Sequence, residues 1–185
     1  CRVPIKIFYK VNSPRLCTEM KTVNLAIIPA RGGSKGIYRK NIVKLNDIPL
    51  IVYSIRAALE SKNTLRVIVS TEDSEISDIA KSYGAEVLTR PLNLAQDDSS
   101  SSDVIIHCLD TLELRENYKP DIVILLQPTS PLRTSVHIDA VFELFNQNVC
   151  DAVISVSEPI HHPLKSFKLN EDGYTFSAYT LNNHA

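Results

Sequence analysis

Residues 23–36 read VNLAIIPARGGSKG, an apolar run of strand length that passes directly into a loop holding three of the chain's five glycines. A continuous apolar segment without polar alternation suits a strand buried on both faces of a parallel sheet. Outward from this stretch, apolar runs alternate with amphipathic ones. Pro49 sits at the first turn of a helix expected to reach about Ser61, with Ile51, Ile55 and Leu59 repeating at four. RVIVS at 66–70 reads as a second strand, and Ser70 or Thr71 as the cap of a helix through Tyr83 that Gly84 stops. A short strand follows at 86–88, then the polar run DDSSSS and a helix near Ser102–Leu114. DIVILLQ at 121–127 reads as another fully buried strand, Thr134 or Ser135 caps a helix to about Gln147, and AVISV at 152–156 is expected to form one more strand. This alternation predicts an α/β fold of right-handed βαβ units, with a mainly parallel sheet covered on both faces. After Glu158 the rhythm changes, and HHPLKSFKLNEDGYTFSAY reads as a hairpin turning at Asp172–Gly173.

The 185 residues, 44% hydrophobic and 22% charged with a net charge of −1, suit one ordinary domain with a real core. Twenty basic residues against 21 acidic ones give no general polyanion field, and no apolar run has the length of a membrane span, so neither nucleic acid nor membrane is expected as a partner. Cysteines at 1, 17, 108 and 150 show no metal-ligand spacing, and no signal core is visible. Cytoplasmic localisation follows as the default, with Cys108 and Cys150 as small apolar packers. Residues 1–19 carry four bases, one acid and two prolines without periodicity and precede Met20, the sequence's single methionine. They read as a non-native or disordered leader. Residues 20–157 then form the core domain, and 158–185 a hairpin that breaks the βαβ rhythm.

The chemistry concentrates after the first strand. Gly32, Gly33 and Gly36 lie in ARGGSKG, where the strand ends, and ligands of open parallel sheets bind at the carboxyl ends of strands. Glycines there let backbone N–H groups cradle oxyanions, and Arg31, Lys35, Arg39 and Lys40 add charge. Between Met20 and Asn46 there are six basic residues and no acid, an imbalance suited to a polyphosphate. The stretch is neither G-x-G-x-x-G nor a Walker P-loop. A plain solvated basic loop is the duller alternative. Likewise, Arg90 before Pro91 could be a surface arginine and the serine run simple helix-entry chemistry. His161 and His162, adjacent in an expected strand, point to opposite faces and are not expected to share a metal. Asp97 and Asp98 read as loop or capping carboxylates.

IIPARGGSKGIYRKN, RPLNLAQDDSSSS (90–102), LLQPTSPLRT (125–134) and HHPLK (161–165), in that order, resemble the CMP-sialic acid synthetases, cytidylyltransferases that activate nine-carbon acidic sugars. The resemblance covers Val23 to about Lys165 and implies a three-layer Rossmann-like nucleotidyltransferase fold. It implies that Arg31, Gly32, Gly33, Ser34, Lys35 and Lys40 hold the triphosphate, Asn41 contacts the nucleotide, and Arg90 and Ser101 hold the cytosine. It further implies that Gln127 meets the sugar and that Lys165 lies near it. Lys165 or Arg133 supplies the cation that a sugar carboxylate needs.

The implied reaction is attack of the sugar's anomeric hydroxyl on the α-phosphorus of CTP, with Arg31 and Lys35 as the catalytic pair stabilising the leaving pyrophosphate. Magnesium is the implied cofactor and a homodimer the implied assembly, the hairpin reaching a second subunit's sugar site. Members of the family carry a later N-G-A segment and a magnesium-holding Asp-x-Asp pair. Residues up to Ala185 contain neither, so the chain is expected to be truncated and to hold no metal ligand of its own. HHPLK favours N-acetylneuraminic acid over legionaminic or pseudaminic acid, and a non-catalytic nucleotide-binding fragment is the alternative of a different class.

Overall fold

The apolar run ahead of the glycine-rich loop forms β1 (Asn24–Pro29), with five of its six residues buried. The computed structural model describes residues 22–34, 36–147, 150–156, 167–169 and 175–177. β1 pairs in parallel with β4 (Arg66–Thr71) on one side and β6 (Ile122–Leu125) on the other, and β4 pairs in parallel with β5 (Glu86–Thr89). The sheet order is therefore β5-β4-β1-β6, with β1 inside.

Alternate residues of β1 feed opposite cores, as the period of two in a strand requires. Ala26 and Ile28 join Val67 and Val69 against α1 (Leu50–Leu59), α2 (Ser74–Ser82) and α4 (Ser135–Gln147), through Ile51, Val52, Ile55, Ile76, Ala80, Ile138 and Phe142. Leu25 and Ile27 join Ile68 and Leu88 on the other face, against Val104, Cys108 and Leu112 of α3 (Ser101–Glu116). Helices thus cover both faces, as the sequence predicts, and Cys108 and Cys150 are buried free thiols.

Several local readings change. The cap of α2 is Asp73, whose side chain accepts from Ile76 N–H, because Ser70 and Thr71 continue β4 as buried strand residues. Between the glycine loop and α1 lies an unforeseen hairpin, β2 (Lys44–Leu45) with β3 (Ile48–Pro49). Its turn residues Asn46 and Asp47 have φ of 51° and 62°, the two positive values that a type I′ turn requires. β6 is half-buried to exposed instead of fully buried, since β1 is its single ladder neighbour among the described residues. Residues 152–156 form no strand. Residues 152–155 line a cavity of 980 Å³ beside β6 and α4 without joining the β6 ladder, and β propensity without a ladder partner does not make a strand.

β7 (Phe167–Leu169) and β8 (Thr175–Ser177) pair antiparallel. Residues 1–19, Lys35, His161, His162, Lys165 and the Asp172–Gly173 turn lie outside the described residues. Among the described residues no helix is long and apolar enough to cross a membrane.

Candidate functional site

At the carboxyl edge of the sheet, the glycine loop leaves β1 and is tied to the segment that leaves β4. Ala30 N–H donates to Ser70 O at 3.0 Å, extending the pairing by one residue. Gly32 N–H then donates to Glu72 Oε1 at 2.6 Å. A Cβ on Gly32 would stand 2.5 Å from Asp73 Oδ2 and 3.0 Å from Asp73 Cβ, so close approach demands glycine there. A Cβ on Gly33 or Gly36 would meet nothing within 4 Å, so these two glycines leave the loop open without being needed for its packing.

Arg39, at φ 50°, grips Asp73 with Nη2 2.8 and 2.7 Å from its two carboxylate oxygens, while Nη1 lies 2.9 Å from Glu75. This cation is thus committed to holding the loop against α2. Buried Asn41 donates from Nδ2 to Arg31 O at 2.9 Å, bracing the loop from behind.

Arg31 reaches across to Asp97 at 2.7 Å. Both residues line a 260 Å³ cavity with Gly33, Ser34, Ala95 and Gln96, between the glycine loop and the loop following β5. Lys40 is half-buried in the 3-10 turn Lys40–Ile42 behind the loop. Glu72 Oε2 is buried without a hydrogen-bond partner.

Arg90 continues β5 by donating its N–H to Thr71 O at 2.9 Å, and it is 5% exposed. Its guanidinium donates through Nη2 to Ser70 O (2.6 Å), Nε to Ser70 Oγ (3.2 Å) and Nη1 to Leu94 O (3.5 Å). Burial pushes the pKa of Arg90 down, with the nearby Glu72 carboxylate opposing, and no carboxylate pairs with Arg90 among the described residues. A buried cation without a counterion is costly unless its donors are satisfied, and here main chain and hydroxyl oxygens take three of its five N–H donors. Beneath it, burial pushes the Cys108 thiol up against the opposing Ser70 hydrogen bond and Arg90 charge. Ser101 is exposed at the head of α3, directly after the cap Ser100.

Gln127 is exposed just past β6, and Arg133 precedes α4; both line the 980 Å³ cavity. Arg133 turns inward, Nη2 donating to Gln127 O at 3.2 Å and Nη1 to Ser54 Oγ at 3.3 Å. Burial pushes its pKa down.

Glu72 and Ser54 are polar partners that the sequence reading did not single out, and Asp97, expected as a loop or capping carboxylate, pairs with Arg31. Glu72 had a signal, since it follows β4 at the same edge where the glycines follow β1. Ser54, polar within an apolar helical stripe, had another. Among the described residues no three His, Cys, Asp or Glu converge as a cation site. Asp73 and Asp97 are engaged by Arg39 and Arg31, so the described residues present no preformed magnesium site.

A family model described as Cytidylyltransferase matches residues 25–174. An N-acylneuraminate cytidylyltransferase of Escherichia coli O18:K1:H7 is 40% identical over 163 residues, which cover 88% of this chain and 38% of that protein. A pseudaminic acid cytidylyltransferase of Campylobacter jejuni serotype O:2 is 38% identical over 154 residues, 83% of this chain and 66% of that protein. The solved structure of CMP:2-keto-3-deoxy-manno-octonic acid synthetase complexed with CTP superposes with a TM-score of 0.57 at 20% identity. That superposition covers 68% of this chain and 48% of the other, and it establishes likeness of fold. The chain spans less than two thirds of the length of each of these relatives.

Proposed function

This chain belongs to the cytidylyltransferase family, and from that premise we propose that it joins CTP to N-acetylneuraminic acid, giving the CMP-sugar and pyrophosphate. The observation that carries the reading is the 260 Å³ cavity that Arg31, Gly33 and Ser34 line at the carboxyl edge of the sheet, where a glycine loop and the Arg31 charge suit a triphosphate. In the reaction, the anomeric oxygen of the sugar bonds to the α-phosphorus as the bond from that phosphorus to the bridging oxygen breaks, and pyrophosphate departs. Such a transfer requires mainly positioning and charge stabilisation.

Arg31 and Lys35 are the proposed catalytic pair. Arg31 exchanges Asp97 for the β- and γ-phosphates when nucleotide binds, so the ion pair of the free protein stores the cation beside its target. Gly32, Gly33, Ser34 and Lys40 complete the phosphate loop, and Asn41 contacts the nucleotide. Arg90 and Ser101 take the cytosine, with Arg90 held rigid by Ser70; Gln127, Arg133 and Lys165 serve the sugar. Magnesium enters as the ion accompanying the triphosphate. The homodimer and the cytoplasmic location belong to the same proposal.

The identity to the E. coli N-acylneuraminate enzyme supports the choice of sugar. The similar identity to the pseudaminic acid enzyme makes pseudaminic acid the second reading. Incubation with CTP, magnesium and each acid in turn, with CMP-sugar and pyrophosphate separated by anion exchange, tests both readings. Faster turnover of N-acetylneuraminic acid supports the first. Faster turnover of pseudaminic acid replaces it with the second, and cytidylyl transfer to neither overturns the proposal.

A further inference from the structure

Gln127 leaves the sheet where the ladder ends. The preceding residue makes a last rung, Leu126 N–H to Ile27 O at 3.0 Å, and the following residue is Pro128, which has no N–H to offer. The Gln127 carbonyl is taken by side chains instead. Ser54 Oγ donates to it at 3.3 Å and Arg133 Nη2 at 3.2 Å, while Arg133 Nη1 donates to Ser54 Oγ at 3.3 Å. The three groups close a ring in which the serine hydroxyl accepts once and donates once. Ser54 is fully buried within α1, Arg133 stands two residues ahead of α4, and Gln127 lies at the tip of β6, so the ring ties three elements at one point.

We propose that Arg133 and Ser54 are positioning residues. They fix the Gln127 peptide, and through it the direction in which the Gln127 side chain leaves the sheet toward a nine-carbon acidic sugar. The inference rests on the function proposed above and revises the expected role of Arg133. As a free cation it would pair with the sugar carboxylate, but its two Nη groups are engaged inside the protein, on a hydroxyl and a carbonyl. A guanidinium holding two fixed acceptors at once imposes geometry through its planar fork, which a lysine ammonium cannot copy.

The test compares wild type with Ser54→Ala, Arg133→Lys and Arg133→Ala in the full chain, each first checked for an unchanged thermal unfolding profile. Loss of sugar positioning raises the sugar KM by about tenfold in both Arg133 variants and by about threefold in Ser54→Ala, with the CTP KM within about twofold of wild type. The preference for the acidic sugar over its carboxamide stays unchanged in Arg133→Ala. If that preference collapses, Arg133 binds the carboxylate itself and the proposal is wrong. Equal increases in both KM values, or full rescue by lysine, overturn it too.

The carbon-13 shift of the Gln127 carbonyl gives a readout independent of turnover. It moves in Ser54→Ala and Arg133→Ala if the ring exists in solution, and no movement in either refutes the ring. If wild type turns over no sugar, the parent function fails on its own, and the carbonyl shift still decides whether the ring holds Gln127.

Discussion

Replacing Gly32 by alanine separates a glycine the fold requires from one it merely contains. The added Cβ would lie 2.5 Å from Asp73 Oδ2, 3.0 Å from Asp73 Cβ and 3.1 Å from Asp73 Cγ. Asp73 cannot simply swing aside, because its carboxylate caps α2 at Ile76 N–H and holds Arg39 through both oxygens. Losing the cap costs about 0.5–2 kcal/mol. Losing the half-exposed Arg39 pair costs about 0.2–1 kcal/mol after solvent screening. A total of about 2 kcal/mol lowers the Tm of a domain this size by about 4–8 °C. Displacing the Gly32 N–H should also weaken CTP by about tenfold or more, the worth of one charge-assisted hydrogen bond. Gly33→Ala is the matched control, since it meets no atom within 4 Å and its φ is not positive. Its Tm should be unchanged or slightly raised, because alanine restricts the unfolded chain. Scanning calorimetry measures stability and isothermal calorimetry the CTP affinity. Equal behaviour of the two variants would refute the close-approach argument.

Partial burial works against the charge on Asp139, but hydrogen bonds from the Ser61 hydroxyl, the Asn63 amide and Lys62 N–H outweigh it and hold the carboxyl below its usual range. Asp139→Asn should therefore cost about 1–2 kcal/mol at pH 7 in urea unfolding. The stabilisation is complete above the unfolded pKa of about 3.9 and is lost as pH falls through the lower folded value, so the wild-type advantage should shrink in that window. An advantage constant down to pH 2 would contradict this. Glu72 places a carboxylate on the Gly32 N–H that a phosphate would use, so Glu72→Gln should tighten CTP binding severalfold; weaker binding would show that the carboxylate supports the ligand. Lys35→Ala should weaken CTP by about tenfold or more while sparing CMP, since its proposed targets are the distal phosphates. Equal losses for the two nucleotides would move Lys35 elsewhere.

Those features legible in the sequence were those that local pattern decides. VNLAIIPA is apolar without alternation because β1 is buried on both faces, and its glycine loop follows at the carboxyl edge as in any open parallel sheet. Gly84, at φ 89°, ends α2 where the sequence placed the stop. Local pattern does not reveal a partner that is distant in the chain. Arg39 and Arg133 both read as free cations, yet their partners Asp73 and Ser54 lie 34 and 79 residues away. AVISV carries a strand's composition, but whether it pairs depends on the β6 edge, which no local pattern reports. The β2–β3 hairpin escaped because its strands are two residues each, too short for alternation to register. Asp73 as the α2 cap was masked by Ser70 and Thr71, equally good caps by type but held in the sheet.

The central claim is that this sheet edge accepts a cytidine triphosphate, and the most direct measurement is a calorimetric ranking of CTP, UTP, ATP and GTP against the same protein with magnesium present. A base site that hydrogen-bonds cytosine leaves polar groups unpaired with the other bases, so CTP should bind tightest by about a hundredfold or more. Equal affinity for all four, or a preference for a purine nucleotide, would contradict the account.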